Sequence, residues 1–177
     1  VKNGVVAAAI ARGTATTEIF GTEVELSQPG FVALFDAATG DLLSRVDVGN
    51  LPDQMTFSAD GTTLLVAGEG EKNADSDHDN DPLGTVAVID VTNATAPAVN
   101  LIDFSALNGL ENAAREVGIR IAPGVSIAAD FEPEYTTISP DGTTAFVSLQ
   151  ENNAIAKIDL ATQTVTDIFS LGTIDFS

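Results

Sequence analysis

A pattern of twelve residues occurs twice in the chain and restricts its fold more than any other feature. Residues 56–67 read TFSADGTTLLVA, and residues 137–148 read TISPDGTTAFVS. Each copy has apolar residues on both sides of an Asp-Gly pair. That pair favours a tight turn, because Asp bonds its own backbone and Gly adopts a positive φ without a Cβ clash. Both copies therefore predict a β-hairpin.

A second module occurs three times and consists of an apolar strand that ends in Asp. Its copies lie at 31–36, 85–90 and 154–159, and each precedes a turn and a further apolar segment. An Asp at the end of a strand predicts an Asx-turn, in which the carboxylate accepts backbone N–H groups just ahead of it. A ligand carboxylate repeated in each module is the alternative interpretation.

Joined in order, the two modules form a four-stranded antiparallel unit, which is the blade of a β-propeller. We predict an all-β fold of about two and a half blades for residues 1–177, and a closed propeller has about four to eight blades. The expected parts are a stray N-terminal strand at 4–11, a blade at 31–71, a blade at 85–150 with a short helical insertion at 105–122, and a half blade at 154–170. Remaining blades of the same protein, or partner chains, are expected to complete this incomplete array.

The charge of the chain excludes several classes of partner. The 177 residues include 26 acidic and 7 basic side chains, a net charge of −19, with one His and no Cys. So negative a surface repels nucleic acid and anionic membranes, and no apolar run approaches the roughly 18 residues that cross a bilayer. Without Cys there is neither a disulfide framework nor thiol catalysis. We therefore expect no nucleic-acid partner and no membrane insertion of this segment, and any signal peptide is expected to have been removed.

The most acidic segment of the chain is a predicted loop at 69–84. Its acidic side chains are Glu69, Glu71, Asp75, Asp77, Asp79 and Asp81. The four Asp residues alternate along the loop, and calcium takes six to eight oxygen ligands from flexible backbone of this kind. Their mutual repulsion opposes an ordered loop unless a cation neutralises them. A calcium site is one interpretation, and a solvated acidic loop without an ion is the other.

A second candidate site lies where two predicted strands begin. The segment 132–134 (EPE) aligns with 51–53 (LPD), and both lead into an Asp-Gly hairpin. Loops at one rim of a propeller surround its central channel, so these residues are expected to meet across neighbouring blades. The residues concerned are Asp53, Glu132, Glu134, Glu69 and Gln150. Paired carboxylates bind metal or act as acid and base, and capping of turns is the structural alternative.

The insertion is expected to form one short amphipathic helix over the rim. Its apolar stripe has helical spacing, with Ser105 as an N-cap and Gly118 as the C-terminal stop. The stripe consists of Leu107, Leu110, Ala114 and Val117. Two of the chain's few cations, Arg115 and Arg120, are expected to pair with the acidic rim, and a phosphate site formed by both is the alternative.

Short strings along nearly the whole chain resemble one known family. They lie at 30–36, 48–53, 57–61, 65–71, 129–135, 139–142 and 149–154. In these strings the chain is similar to the choice-of-anchor I family of extracellular bacterial propellers, which itself resembles YVTN-type surface propellers and mesenchyme-specific cell-surface glycoproteins. The resemblance covers the N-terminal part of the family's domain. It implies an extracellular or cell-surface location.

Together with the acidic loop, this resemblance leads us to predict a non-catalytic scaffold that binds calcium and partner molecules, such as extracellular matrix components, through acidic rim loops. Some relatives are labelled alkaline phosphatase, which implies a metal-dependent phosphoesterase as an alternative. Its site would use Asp53, Glu69, Glu132, Glu134 and the two arginines of the insertion. A propeller that docks another protein is the third hypothesis.

Overall fold

The computed structural model describes residues 1–70 and 82–172, and strands dominate both ranges. The strands are β1 Val5–Ile10, β2 Thr14–Ile19, β3 Thr22–Ser27, β4 Gly30–Asp36, β5 Leu42–Gly49, β6 Pro52–Phe57, β7 Thr63–Gly68, β8 Thr85–Asp90, β9 Ala98–Ile102, β10 Pro133–Ile138, β11 Thr144–Leu149, β12 Ala154–Asp159 and β13 Thr164–Ser170. Short helical turns separate β9 from β10. They are a 3-10 helix Ser105–Leu107, α1 Glu111–Glu116 and α2 Ile127–Asp130.

The strands form three antiparallel sheets and a separate hairpin. The first sheet has the order β1-β4-β5, the second β6-β7-β8-β9, and the third β10-β11-β12-β13. The hairpin pairs β2 with β3. The inner strands β6 and β10 of the second and third sheets lie against each other. This arrangement confirms the predicted all-β fold with incomplete propeller-like blades.

The predicted blade boundaries were wrong by two strands. The predicted blades 31–71 and 85–150 each join strands of two different sheets, because β4 and β5 pair with β1 whereas β6 and β7 pair with β8 and β9. The half blade at 154–170 is the outer half of the complete third sheet, and the strand at 4–11 is β1 of the first sheet. The repeated motifs specify each hairpin locally, but they do not determine which hairpins share a sheet.

Equivalent residue pairs show how the three sheets correspond. In each sheet, the first residue of one strand pairs with the Asp that ends the neighbouring strand. These pairs are Val5 with Asp36, Thr63 with Asp90, and Thr144 with Asp159. Strand β1 therefore occupies the second position of its sheet, as β7 and β11 do in theirs. Within the described ranges no strand pairs with the other edge of β1, so the first sheet has three strands and the others four.

The sheets pack face to face through two apolar layers. Successive residues of a strand point to opposite faces, so Leu64 packs towards the first sheet and Leu65 towards the third. Both side chains are fully buried, and the second sheet is covered on both faces. The two Asp-Gly hairpins, β6–β7 and β10–β11, consequently lie in different sheets rather than in one continuous sheet.

Hydrogen bonds at the repeated Asp residues match the predicted turns. The Ser58 hydroxyl donates to Asp60 Oδ1 over 2.6 Å, and the backbone N–H of Thr62 donates to the same oxygen over 3.1 Å. Asp141 makes the same contacts in the second hairpin. These hydrogen bonds lower the pKa of both carboxyl groups. Asp36, Asp90 and Asp159 accept backbone N–H groups two or three residues ahead, so the Asx-turn interpretation is confirmed.

The insertion differs from the single predicted helix. Gly109 has a φ of 91°, a left-handed conformation that ends the 3-10 helix, and α1 begins after Leu110. Ser105 lies inside the 3-10 helix, so the predicted N-cap was wrong. Gly118 has a φ of 90° directly after the C-cap, where the sequence predicted the helix to stop.

Candidate functional site

One end of the second and third sheets collects five of the seven predicted site residues that the structure describes. There the inner strands β6 and β10 begin, and the register pairs Pro52 with Gly68 and Pro133 with Leu149. A proline suits the first residue of a strand, because it donates no N–H to a neighbour. We call this end the acidic rim, which comprises residues 50–53, 69–70, 82–84, 131–134 and 150–151.

Both described ends of the predicted calcium loop lie at the acidic rim. A Cβ added to Gly70 would lie 2.5 Å from the Pro82 carbonyl oxygen and 2.6 Å from the Gly84 nitrogen, so the two ends touch. A Cβ on Gly84 would in turn collide with the carbonyl oxygen of Phe131, just before β10. The predicted ligands Glu71, Asp75, Asp77, Asp79 and Asp81 lie outside the described residues.

Carboxylates from two sheets crowd each other at the acidic rim. The half-buried Glu134 is the second residue of β10, and Asp53 is the second residue of β6. Burial raises the pKa of Glu134, and the negative charges of Asp53 and Glu151 raise it further. The structure therefore brings two of the sequence-predicted residues, Asp53 and Glu134, within electrostatic reach of each other.

The backbone N–H groups of two further predicted rim residues are hydrogen-bonded. The N–H of Glu69 donates to the Leu51 carbonyl over 3.1 Å, and the N–H of Glu132 donates to Asn152 Oδ1 over 3.3 Å. Gln150 is exposed at the end of β11. Its neighbour Glu151 was missed by sequence reasoning, although it belongs to the string LQENNA in which Gln150 was singled out.

The two arginines of the insertion have different roles. Arg115 donates to the carbonyl oxygens of Ile121 and Ala122 over 3.1 and 2.9 Å, so its guanidinium group holds the insertion together. Arg120 lies 3.9 Å from Glu151, and both side chains are largely exposed. Only Arg120 therefore reaches the acidic rim, and the structure does not favour a phosphate site built from both arginines.

A buried polar network behind the rim positions the start of β10. Asn152 and Asp130 are only 2% and 6% exposed, and Asn152 Nδ2 donates to Asp130 Oδ2 over 2.7 Å. The other carboxylate oxygen of Asp130 accepts the N–H of Ala122 over 3.0 Å. Buried polar groups of this kind are stable only when each has its partners. Sequence reasoning missed both residues, because nothing in their local pattern indicates burial.

We expect Glu134→Gln to raise the melting temperature at pH 7 by about 1–3 °C, since it removes a screened repulsion at the acidic rim. The pKa of Glu134 is raised in the folded state, so protonation of this carboxyl group stabilises the fold at pH values below its unfolded pKa. This stabilisation is lost as the pH rises through the folded pKa. The gain should therefore disappear near pH 4, as thermal melts monitored by circular dichroism would show. A gain of equal size at pH 4 would contradict the electrostatic explanation.

The described part of the chain has neither a cluster of metal-ligating side chains nor a membrane-spanning helix. In residues 1–70 and 82–172, no group of three or more His, Asp or Glu side chains is arranged to hold a metal ion. Among the same residues, no helix is long and apolar enough to cross a membrane.

The chain forms an all-β, propeller-like domain. Its antiparallel sheets are stacked, their inner strands are adjacent, and one end forms the acidic rim. The chain belongs to the choice-of-anchor I family, because the model of the choice-of-anchor I domain matches residues 1–177. The family places this chain among surface-associated domains. No curated protein matches the chain.

Two solved structures that are similar to the chain have little sequence identity with it. Hydrazine synthase from Kuenenia stuttgartiensis is 13% identical with a TM-score of 0.52, over 89% of this chain and 46% of that chain. A functionally unknown protein from Desulfotomaculum acetoxidans DSM 771 is 17% identical with a TM-score of 0.46, over 78% of this chain and 35% of that chain. The chain thus spans less than half the length of each of these structures. The similarity to hydrazine synthase supports the fold of this chain and nothing beyond the fold.

Proposed function

We propose that this domain is a non-catalytic extracellular scaffold that binds calcium, and through it partner molecules, at the acidic rim. One observation carries the proposal: the ends of the acidic loop, Gly70 and Gly84, touch beside the start of β10. Glu134 is crowded there by the charges of Asp53 and Glu151. Carboxylates gathered from two sheets and one loop repel each other, and a divalent cation relieves that repulsion.

The chemistry of the rim favours calcium over other cations. Calcium accepts six to eight oxygen ligands in irregular geometry, whereas magnesium requires a nearly ideal octahedron. Zinc prefers Cys and His, and the chain has no Cys and the single His78. Carboxylates at Asp75, Asp77, Asp79 and Asp81 would supply the first ligands.

Calcium is expected to stabilise the protein, by about 2.7 kcal/mol at a concentration one hundred times the dissociation constant. Replacing Asp75, Asp77, Asp79 and Asp81 together with Asn should abolish this effect. Melting curves recorded with calcium and with magnesium would measure it. An unchanged calcium effect in this variant would exclude the loop as the site.

A matched control separates calcium binding from a general loss of negative charge. Four exposed acids that do not belong to the rim provide the same change in charge when they are replaced by the corresponding amides. They are Glu18, Glu23, Asp41 and Glu116. This control should retain the full calcium effect. Loss of the effect in both variants would indicate diffuse screening rather than a site.

The same preparations test the metal-dependent phosphoesterase alternative. We expect no hydrolysis of p-nitrophenyl phosphate above the buffer rate with calcium, magnesium or zinc. Arg115, one of the two arginines considered for a phosphate, is engaged by carbonyl groups of the insertion. Turnover that disappears in Glu134→Gln would contradict the non-catalytic proposal.

A further inference from the structure

We propose that the chain binds a saccharide in a cleft between the second and third sheets, at the end opposite the acidic rim. The cleft is a cavity of about 360 Å³ between the two Asp-Gly turns and the Asx-turns that follow β8 and β12. We call it the turn cleft. Its polar side chains are those of Thr62, Thr63, Asp90, Thr92, Thr143 and Gln163. This inference does not depend on calcium binding at the acidic rim.

The equivalent cleft between the first and second sheets is filled by protein. The turn before β1 places Asn3 against the Asp-Gly turn of the second sheet, where Asn3 Nδ2 donates to the Asp60 carbonyl oxygen over 2.7 Å. Gly61 is buried there, and a Cβ added to it would lie 2.5 Å from Asn3 Nδ2. Gly142 holds the same position in the third sheet, but it is exposed and a Cβ on it would meet no atom within 4 Å. The space that a polar side chain fills between one pair of sheets is therefore open between the next pair.

The turn cleft offers hydrogen-bonding groups that the fold does not use. Asp90 Oδ1 accepts the N–H and the hydroxyl of Thr92 over 2.9 and 2.6 Å, which leaves Asp90 Oδ2 without a hydrogen bond among the described residues. The hydroxyl of Thr63 and the carboxamide of Gln163 likewise have no hydrogen-bond partner in the described ranges. The cleft thus presents an acceptor at the carboxylate, and both donors and acceptors at the hydroxyl and the amide.

Gln163 occupies a backbone position at which glycine is the less strained choice. It has a φ of 54°, in the left-handed region that is unfavourable for a residue with a Cβ. The corresponding turn of the first sheet, 36–40, ends in Gly40 with a φ of 78°. The turn 159–163 therefore keeps a long polar side chain where glycine would fit more easily, and that side chain lines the turn cleft. Strained conformations of this kind cluster at ligand sites, which supports a binding role for Gln163.

The chemistry of the turn cleft favours a neutral ligand that is rich in hydroxyl groups. Asp90 repels anions, and the described residues that line the cleft include no Lys or Arg. A single carboxylate provides too few ligands for a metal ion, and no aromatic ring among the same residues is available for an organic cation. The hydroxyl groups of a saccharide can donate to Asp90 and accept from Gln163. Its C–H face can pack on Val88 and Leu160, which also line the cleft.

The size of the turn cleft suits a short saccharide. Small-molecule sites have volumes of about 300–1,000 Å³, and the turn cleft lies near the lower end of that range. A ligand of about a dozen non-hydrogen atoms gains little free energy on binding, so we expect a dissociation constant on the order of 1 mM.

Titrations followed by ¹H–¹⁵N NMR spectroscopy test this inference on the whole chain. The probes are D-glucose, D-galactose, N-acetyl-D-glucosamine and cellobiose. We expect saturable shifts of the amide signals of Thr62, Thr143 and Gln163 with at least one probe, and no shifts at the acidic rim. The absence of a saturable shift with every probe would overturn the proposal. Shifts of these signals with calcium chloride and with none of the saccharides would overturn it as well.

Gln163→Gly separates binding from stability. The change removes the carboxamide from the turn cleft and relieves the strain of the positive φ. Saccharide binding should therefore weaken at least about tenfold, a change of about 1.4 kcal/mol, while the melting temperature rises or stays the same. Gln163→Asn keeps a carboxamide at a position that Asn tolerates, so it should bind more tightly than the Gly variant. Equal binding by Gln163→Gly and the wild-type chain would contradict the site.

Asp90→Asn tests the carboxylate with a matched control. Asn still accepts at Oδ1 from Thr92, so the turn is kept, but the free Oδ2 acceptor becomes an Nδ2 donor. Binding should weaken at least about tenfold. Asp36→Asn makes the same change of charge in the equivalent turn of the first sheet and should leave binding unchanged. Equal losses in both variants would show that net charge rather than the turn cleft determines binding, and would overturn the proposal.

Discussion

Replacing Phe104 with Ala is expected to lower the free energy of unfolding by about 3–5 kcal/mol. The ring of Phe104 is fully buried and meets the ring of Phe131 edge to face, with 5.2 Å between the ring centroids. The two rings join the insertion to the apolar layer between the second and third sheets. Their removal would leave a cavity that rigid sheets fill poorly. Urea denaturation measures the change.

Phe20→Ala is the matched control for this experiment. Phe20 lies at the tip of the β2–β3 hairpin and is fully exposed, so its truncation should change the unfolding free energy by less than about 0.5 kcal/mol. A loss of less than about 1 kcal/mol for Phe104→Ala would show that the insertion does not belong to the core.

Asn152→Ala is expected to destabilise the protein by about 3 kcal/mol, because it leaves the buried Asp130 carboxyl group and nearby backbone groups without their hydrogen-bond partner. Asn152 Nδ2 lies 2.7 Å from Asp130 Oδ2 and 2.9 Å from the Asp130 carbonyl oxygen. Truncation would also release the N–H of Glu132, which donates to Asn152 Oδ1. The exposed Asn100 provides the control, and Asn100→Ala should be close to neutral.

A double-mutant cycle distinguishes loss of this network from simple loss of packing. Asp130→Ala together with Asn152→Ala removes the buried carboxylate as well as its donor. The double variant should therefore lose clearly less stability than the sum of the single variants. Additive losses would show that Asn152 and Asp130 stabilise the fold separately.

Local chemistry explains which features the sequence predicted correctly. The hairpin at Asp60-Gly61 and the turns after Asp36 and Asp90 depend on hydrogen bonds between residues two to five positions apart. The same local rules placed Gly118 at the end of a helix. Such contacts form wherever the short motif occurs, so the repeated motifs were sufficient to identify the strands.

The incorrect predictions concern contacts between segments that are distant along the chain. Nothing near Val5 indicates that β1 pairs with β4, some thirty residues later. The insertion shows the same limit, because its apolar stripe leaves Leu110 and Val117 exposed while Ala114 is buried. Helical spacing predicts a face, but the neighbouring sheet determines how much of that face is covered.

The sequence by itself determined the all-β class, the Asp turns, the family and the presence of carboxylates at 53 and 134. Only the tertiary structure decided the grouping of strands into sheets, the meeting of Asp53, Glu134 and Glu151 at one rim, and the buried Asp130–Asn152 pair. The physical reason is the separation along the chain between the residues that interact. Turn hydrogen bonds are complete within a few residues, whereas sheet edges, packed faces and charge clusters depend on partners that only the folded chain brings together.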